Sequence, residues 1–91
     1  MEFDWDPAKN KANREKHGIG FEDAQHIFAG PVLTRVDDRR AYGESRYISL
    51  GALSYEAVLV VVHTQRGGKT RLISARKANR QERQIYHDHC E

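Results

Sequence analysis

The sequence has one cysteine, two prolines and no long apolar run, and these shortages exclude several classes of protein. Cys90 stands alone, so no intramolecular disulfide can form, which agrees with a reducing compartment. No segment approaches the roughly 18 apolar residues that a membrane-spanning helix needs. The stretch from Met1 to Asp6 lacks the basic and apolar regions of a secretory signal. We therefore predict a cytoplasmic protein rather than a disulfide-stabilised secreted domain or a membrane protein.

The length predicts a single domain over residues 1–91. A chain of 91 residues buries only about 60–65% of its unfolded surface, which is enough for one small core. Hydrophobic residues make up 38% of the chain, and the apolar run from Val58 to Val62 can nucleate that core. This composition excludes an intrinsically disordered chain.

The charged residues are unevenly distributed along the chain. Seven basic residues and one acidic residue lie between Arg66 and Arg83, so this basic segment carries +6, whereas the rest of the chain carries −4. A segment of this kind suits a partner that bears phosphate groups or carboxylates. A solvated strand edge followed by a solvated helix face would carry the same charges without any binding role.

The amino-terminal pattern predicts a short strand followed by a helix. Polar and apolar residues alternate from Glu2 to Trp5, which is typical of an edge strand. Asp6 can cap free backbone N–H groups, and Pro7 is favoured at the first position of a helix. The helix should continue to about His17 and end at Gly18, because glycine readily adopts the left-handed conformation found just past helix ends.

Two further helices are predicted. Four apolar residues at helical spacing indicate a second helix that ends at Gly30-Pro31; they are Phe21, Ala24, Ile27 and Phe28. Asn79 with Glu82 three residues later resembles a capping box, which predicts a last helix that runs through Tyr86.

The residues between the second and the last helix predict four strands. The runs are Val32 to Asp37, Arg46 to Leu53, Ala57 to Gln65 and Lys69 to Ala75. Short connections imply antiparallel pairing, and Gly67-Gly68 suits a tight hairpin turn. The segment from Ala57 to Val62 is apolar on both faces, so we expect a central strand. The predicted order is β-α-α-β-β-β-β-α, an α+β fold with a mainly antiparallel sheet packed against helices.

Residues along nearly the whole chain match the sequence pattern of one protein family in their order and spacing. In the first half they are Phe3-Asp4-Trp5-Asp6-Pro7, Asn13, Lys16-His17-Gly18, Phe21-Glu22-Asp23-Ala24, Phe28 and Pro31. In the second half they are Arg46, Gly51, Leu59-Val60-Val61-Val62, Thr64, Arg66, Arg71-Leu72-Ile73-Ser74-Ala75-Arg76, Ala78, Glu82-Arg83 and Tyr86. The ordered set resembles the BrnT family of bacterial toxins. Leu72 departs from the usual isoleucine, and the tail His87–Cys90 matches no family pattern.

The resemblance implies a RelE-like fold and cleavage of RNA that inhibits translation and arrests growth. It also implies a cognate antitoxin, a BrnA-like protein that binds operator DNA, in a hetero-oligomer with this chain. No cofactor is implied. A metal-independent ribonuclease of this kind uses the 2′-hydroxyl of the RNA as its nucleophile, so the protein supplies a base, an acid and cations for the phosphate.

Basic residues are the candidates for binding RNA. Arginine suits phosphate because its planar guanidinium can donate two parallel hydrogen bonds. Arg46, Arg71 and Arg76 are our candidates for catalysis, since Arg46 lies in phase with apolar residues and the other two bracket the end of a strand. For further contacts with RNA we assign Lys16, Arg66, Lys69, Lys77, Arg80 and Arg83.

Candidates for proton transfer are His17, His63, Glu82 and Tyr86. Histidine is the residue type that titrates nearest neutrality. His63, however, lies in phase with apolar residues of a strand, so we interpret it as a core histidine. His17 could equally complement the dipole of the helix that it ends. Glu82 and Tyr86 share a helix face, although the capping box by itself accounts for Glu82.

A metal site is not expected. Adjacent carboxylates such as Glu22-Asp23 and Asp37-Asp38 point in different directions, so they cannot converge on one ion. The tail residues His87, His89 and Cys90 could bind zinc, but we interpret them as a frayed end. A rival function is a non-catalytic nucleic-acid-binding module, which would bind RNA in a salt-dependent manner and leave it intact.

Overall fold

A computed structural model describes residues 1–90 of the protein. Its α+β class and its order of elements agree with the prediction from the sequence. In chain order the elements are β1 (Phe3–Asp4), α1 (Pro7–His17), α2 (Phe21–Ala24), a 3₁₀ helix (Gln25–Ala29), β2 (Val32–Val36), β3 (Arg46–Ala52), β4 (Val58–Arg66), β5 (Lys69–Lys77) and α3 (Arg80–Cys90). Within residues 1–90, no helix has both the length and the apolar character needed to cross a membrane.

The five strands form one sheet in the order β1-β5-β4-β3-β2. Strands β2 to β5 pair antiparallel, as predicted, whereas β1 lies at the edge and pairs parallel to β5. The central position predicted for the apolar strand is confirmed, because the residues from Val58 to Thr64 are all buried. The hairpin turn between β4 and β5 is also confirmed, with positive φ angles of 62° at Gly67 and 78° at Gly68.

Each face of the sheet buries its own apolar cluster. We call the side that carries Leu59, Val61 and Leu72 the α1 face, because segments 7–29 pack there. The opposite side is the α3 face, which carries Ile48, Val58, Val60 and Val62 together with Ala78 and Tyr86. Helix α3 covers only part of this second face, so the rest is open to a ligand.

A bulge in β5 decides which side chains reach the α3 face. Val62 pairs with Ser74 and His63 pairs with Leu72, which leaves Ile73 as an extra residue. Arg71 and Arg76 are five positions apart and would point to opposite faces of a regular strand. Because of the bulge, Arg71 lies opposite Thr64 and Arg76 opposite Val60, two residues that share the α3 face.

Helix α1 docks on the sheet through buried asparagines rather than an apolar stripe. The amide of Asn13 donates to Ala75 O at 2.8 Å and to Ile19 O at 2.9 Å, and its Oδ1 accepts from Ala75 N at 3.1 Å. Asn10 accepts from Phe21 N at 2.8 Å. The predicted helix start and end are confirmed: Asp6 accepts from the N–H of residue 8 at 2.8 Å, and Gly18 has φ of 73°.

The second helix differs from the prediction because its latter half is a 3₁₀ helix. Phe21, Ala24 and Ile27 are spaced by three residues, and all three are fully buried. A helix with three residues per turn aligns side chains at this spacing on one side, so the apolar pattern fits both helix types. The tail, which we interpreted as a frayed end, also differs from the prediction, because α3 continues to Cys90.

Candidate active site

The open part of the α3 face contains a cavity of about 880 Å³, which lies within the usual range for small-molecule sites. Its floor is apolar and consists of Leu33, Ile48, Leu50, Val60 and Val62. Its polar lining comes from β2, β5, the loop after β2 and both flanking helices, and consists of Lys16, His17, Thr34, Arg35, Arg39, Ser74, Arg76, Asn79, Gln81 and Glu82. Of these residues only Glu82 is acidic, so the cavity has an excess of positive charge.

Arg76 and Glu82 form a bidentate ion pair at the wall of the cavity. The Nη1–Oε1 distance is 2.8 Å and the Nη2–Oε2 distance is 2.9 Å. The capping box predicted for α3 is confirmed, because Asn79 N donates to Glu82 Oε1 and Glu82 N donates to Asn79 Oδ1, both at 2.8 Å. The hydrogen bonds from Arg76 lower the pKa of Glu82, and the charge of Arg35 contributes. The carboxylate is therefore ionised near neutral pH.

Arg39 reaches the cavity from the loop between β2 and β3. Its guanidinium binds the fully buried carboxylate of Asp37 through Nε–Oδ1 at 2.7 Å and Nη2–Oδ2 at 2.8 Å. Tyr42 donates its hydroxyl to the same carboxylate at 3.1 Å. These hydrogen bonds hold the pKa of Asp37 well below its usual range. The side chain of Arg39 is nevertheless 62% exposed, so it is fixed in place and accessible to a ligand.

Arg35, Arg39 and Arg76 form a cluster of cations around the cavity, which we call the arginine cluster. Arg35 lies on β2 opposite Ile48 and is exposed. Its charge contributes to the lowered pKa of Glu82. The hydrogen bonds to Glu82 raise the pKa of Arg76, and the charge of Arg39 opposes that rise. All three side chains line the same cavity, so they can act together on one bound anion.

Helix α1 brings His17 and Lys16 to the same cavity. Both residues belong to the last turn of the helix, where basic side chains complement the dipole. Asn13 lies one turn earlier and fixes the helix to β5 beside Arg76. The distant amino-terminal and carboxyl-terminal parts of the sequence thus meet at one wall of the cavity.

Four of the residues predicted for the site line the cavity: Lys16, His17, Arg76 and Glu82. The other three catalytic candidates lie elsewhere. Arg46 packs over the Tyr42 ring at 4.1 Å and binds Glu44 at 3.3 Å. Arg71 pairs with Asp4 at 3.3 Å. The hydroxyl of Tyr86, a residue only 5% exposed, donates to the carbonyl of residue 31 at 2.8 Å.

The basic segment does not form one continuous surface. Arg66 and Lys69 flank the hairpin turn at one end of β5, and Lys77, Arg80 and Arg83 lie at its other end. At about 3.3 Å per residue, the two ends of the strand are separated by about 25 Å. Adjacency in sequence therefore overestimated how closely these charges lie in space.

Two cavity residues that the sequence analysis missed are Arg35 and Arg39. Arg35 lies in phase with Leu33, a floor residue of the cavity. The same pattern made Arg46 a candidate for the site. Arg39 belongs to an irregular loop, where no periodicity indicates the direction of a side chain. Its position depends on Asp37, whose burial becomes apparent only from the fold.

His63 is a core residue, as interpreted from the sequence. It is 8% exposed, its Nε2 lies 2.7 Å from Ser49 Oγ, and its ring stacks on Tyr47 with centroids 5.8 Å apart. Phe28 contacts it edge-on at 5.0 Å. Burial lowers the pKa of His63. Within residues 1–90, no three His, Cys, Asp or Glu side chains are grouped so that they could hold a metal ion.

Comparisons with known proteins agree with this fold. A family model described as the ribonuclease toxin BrnT of type II toxin–antitoxin systems matches residues 5–82. The crystal structure of the Brucella abortus ribonuclease toxin BrnT is similar with a TM-score of 0.66 and 26% sequence identity, over 88% of this chain and 99% of that one. No protein with a curated description matches the chain in sequence. The chain belongs to the BrnT family of ribonuclease toxins of type II toxin–antitoxin systems.

Proposed function

We propose that this protein cleaves RNA in the cavity on the α3 face, by attack of a 2′-hydroxyl on the adjacent phosphate and without a metal ion. The observation that carries the proposal is the convergence of the arginine cluster with His17 and Glu82 on one cavity. The lining supplies three guanidiniums and a single carboxylate, which suits direct stabilisation of phosphate by protein cations.

The ion pair between Arg76 and Glu82 gives the reaction a simple order of events. An RNA phosphate that enters the cavity competes with Glu82 for the two donor groups of Arg76. Guanidinium binds phosphate with the same two-point geometry that it uses for carboxylate. Once Arg76 turns to the phosphate, Glu82 loses the contact that most lowers its pKa and becomes a better proton acceptor.

Glu82 and His17 are the groups that we assign to proton transfer. One accepts the proton of the 2′-hydroxyl as its oxygen bonds to phosphorus, and the other donates a proton to the 5′-oxygen as its bond to phosphorus breaks. The arginine cluster stabilises the negative charge that develops on the phosphate oxygens. The products are a 2′,3′-cyclic phosphate and a 5′-hydroxyl.

We further propose that this cleavage acts in the cytoplasm, inhibits translation and arrests growth, and that a BrnA-like antitoxin neutralises it. Membership of a type II toxin family supports a protein antitoxin and an RNA substrate. The exposed arginine cluster would attract an acidic partner segment as well as RNA.

The decisive experiment incubates the purified protein with RNA in excess EDTA. We expect cleavage and 2′,3′-cyclic phosphate ends, because the proposed nucleophile belongs to the RNA. An Arg76→Ala variant purified in parallel controls for contaminating ribonuclease. Activity that disappears in EDTA and returns with Mg²⁺ would refute the metal-independent mechanism. Salt-dependent binding of RNA that stays intact would instead support the non-catalytic nucleic-acid-binding module.

A further inference from the structure

A second cavity of about 320 Å³ adjoins the first and is lined by Arg39, Arg40, Tyr42 and Arg46. Arg39 lines both cavities, so the two are neighbours along one surface. The arginine cluster of the first cavity does not include Arg40 or Arg46. Within residues 1–90, three of the four lining side chains of the second cavity are cations and none is a carboxylate.

The walls of this second cavity are held in place from behind. Asp37 is fully buried and uses both carboxylate oxygens on Arg39, while Tyr42 donates its hydroxyl to one of them. The ring of Tyr42 in turn supports the guanidinium of Arg46 at 4.1 Å. Glu44 binds Arg46 from outside the lining, at 3.3 Å. Two of the three arginines are therefore positioned before any ligand arrives.

The free donor groups indicate what the cavity binds. A guanidinium has five N–H groups, and Arg39 uses Nε and one N–H of Nη2 on Asp37. Its remaining N–H groups, with those of the exposed Arg40, are available to an anion. One face of the Tyr42 ring is already covered by Arg46, which disfavours stacking of a base. The free donor groups and the positive charge thus favour a phosphate group.

We infer that the second cavity binds the phosphate of the nucleotide adjacent to the cleaved linkage. Arg39 would contact both the reacting phosphate and its neighbour, because it lies between the two cavities. This inference rests on the proposed cleavage for the identity of the first phosphate. It assigns Arg40 and Arg46 to substrate binding, and Asp37 becomes a positioning residue for Arg39.

The test measures binding of 2′-O-methyl oligonucleotides, which lack the attacking hydroxyl and stay intact. A dinucleotide is compared with the same dinucleotide bearing an extra phosphate at its 5′ end or at its 3′ end. For the wild-type protein we expect one of the two phosphates to tighten binding about tenfold, the usual scale for charge-assisted hydrogen bonds. The end that gives the gain identifies the side of the linkage on which the second cavity lies.

Variants connect the gain to the second cavity. Arg40→Ala should remove most of the gain, and Arg40→Lys should retain part of it because the charge remains while the planar fork is lost. Lys11→Ala, an exposed change on α1 outside both cavities, should retain all of it. Thermal unfolding of each variant confirms that the fold is intact.

The inference is wrong if neither phosphate tightens binding to the wild-type protein, or if Arg40→Ala retains the full gain. A cleavage assay on unmodified RNA is run separately. Suppose that RNA is not cleaved, but that the extra phosphate tightens binding to the wild-type protein and not to Arg40→Ala. The phosphate site then stands while the proposed function fails. If RNA is cleaved and no gain is observed, the proposed function stands and the second phosphate site fails.

Discussion

Individual side chains of the site depend on partners that are themselves held by the backbone. Glu82 belongs to the capping box of α3, so the orientation of Arg76 is linked to the start of that helix. Asp37 has no exposed side-chain surface and fixes Arg39 in a loop that would otherwise leave a long side chain free to rotate. Such pairs reduce the entropy that ligand binding must otherwise remove from flexible arginines.

Replacement of Arg76 tests the cation nearest the capping box. Arg76→Ala should lower the rate of RNA cleavage about 100-fold to 1,000-fold, the usual effect of removing a donor aimed at developing negative charge. The side chain is 44% exposed, so the free energy of unfolding should change by less than about 1 kcal/mol. Cleavage rate and melting temperature are measured together, with Lys11→Ala as the control. Full activity, or inactivity caused by unfolding, would remove Arg76 from the site.

His63 makes the stability of the fold depend on pH. Burial lowers its pKa from the ordinary value of 6.5, so the unfolded chain binds a proton at a pH where the folded protein does not. Its contribution to stability is complete above about 6.5 and is lost as the pH falls through the lower pKa of the folded state. Urea unfolding between pH 7.5 and 5.5 should therefore show declining stability in the wild-type protein.

A substitution isolates this effect from the other histidines. His63→Gln retains a polar partner for Ser49 but cannot titrate, so its stability should decline less over the same pH interval. The remaining histidines are common to both proteins and cancel in the comparison. Equal slopes for the two proteins would show that His63 is not responsible.

At the scale of secondary structure, α1 is held by hydrogen bonds that continue the edge of the sheet. Asn13 both donates to and accepts from the backbone of Ala75, as a neighbouring strand would. This docking carries Lys16 and His17 to the cavity. A helix without an apolar stripe can pack here because its buried amides leave none of these backbone groups unsatisfied.

Asn13→Ala should reduce the free energy of unfolding by about 3 kcal/mol, since buried groups of Ala75 and Ile19 lose their partners. RNA cleavage should also decrease, because α1 is no longer fixed beside the cavity. Urea unfolding measures the first effect. Lys9→Ala lies on the exposed side of the same helix and should change stability by less than about 0.5 kcal/mol. Equal stabilities for the two variants would contradict this account of docking.

Elements with strong local rules could be predicted from the sequence, and those that depend on packing could not. The caps of α1 and α3 and the turn at Gly67-Gly68 follow from residue chemistry, so they were located correctly. The parallel pairing of β1 with β5 joins the first strand to the last, and no local pattern indicates it. The bulge at Ile73 was also missed, because nothing in the sequence of β5 indicates which residue is left without a partner in β4.

For the whole molecule, positive charge is divided between the cavity and the ends of β5. The net charge is only +2, so binding of a polyanion depends on where the cations lie. The arginine cluster surrounds an apolar floor, whereas Arg66 and Lys69 flank an exposed hairpin turn. We therefore expect RNA and an acidic antitoxin segment to compete for the cavity.

Antitoxin binding should weaken in the Arg35→Ala, Arg39→Ala and Arg76→Ala variants, and cleavage should fall with it. The loss in association rate should shrink at high salt, where exposed charges are screened over about 8 Å or less. Affinity and cleavage are measured for each variant beside Lys11→Ala. Unchanged affinity in all three variants would refute occlusion of the cavity, and weaker binding in Arg66→Ala or Lys69→Ala would locate the antitoxin at the hairpin.

The bulge at Ile73 also means that β5 can lose one residue without changing which way its other side chains face. Ile73 has no partner of its own in β4, so its loss would leave Val62 opposite Ser74 and His63 opposite Leu72. Arg71 and Arg76 would then be four positions apart, on the same face of a regular strand. The same deletion in a strand without a bulge would turn every later side chain to the other face. A gene shortened by this one codon should thus still encode a toxin whose arginine cluster faces the cavity.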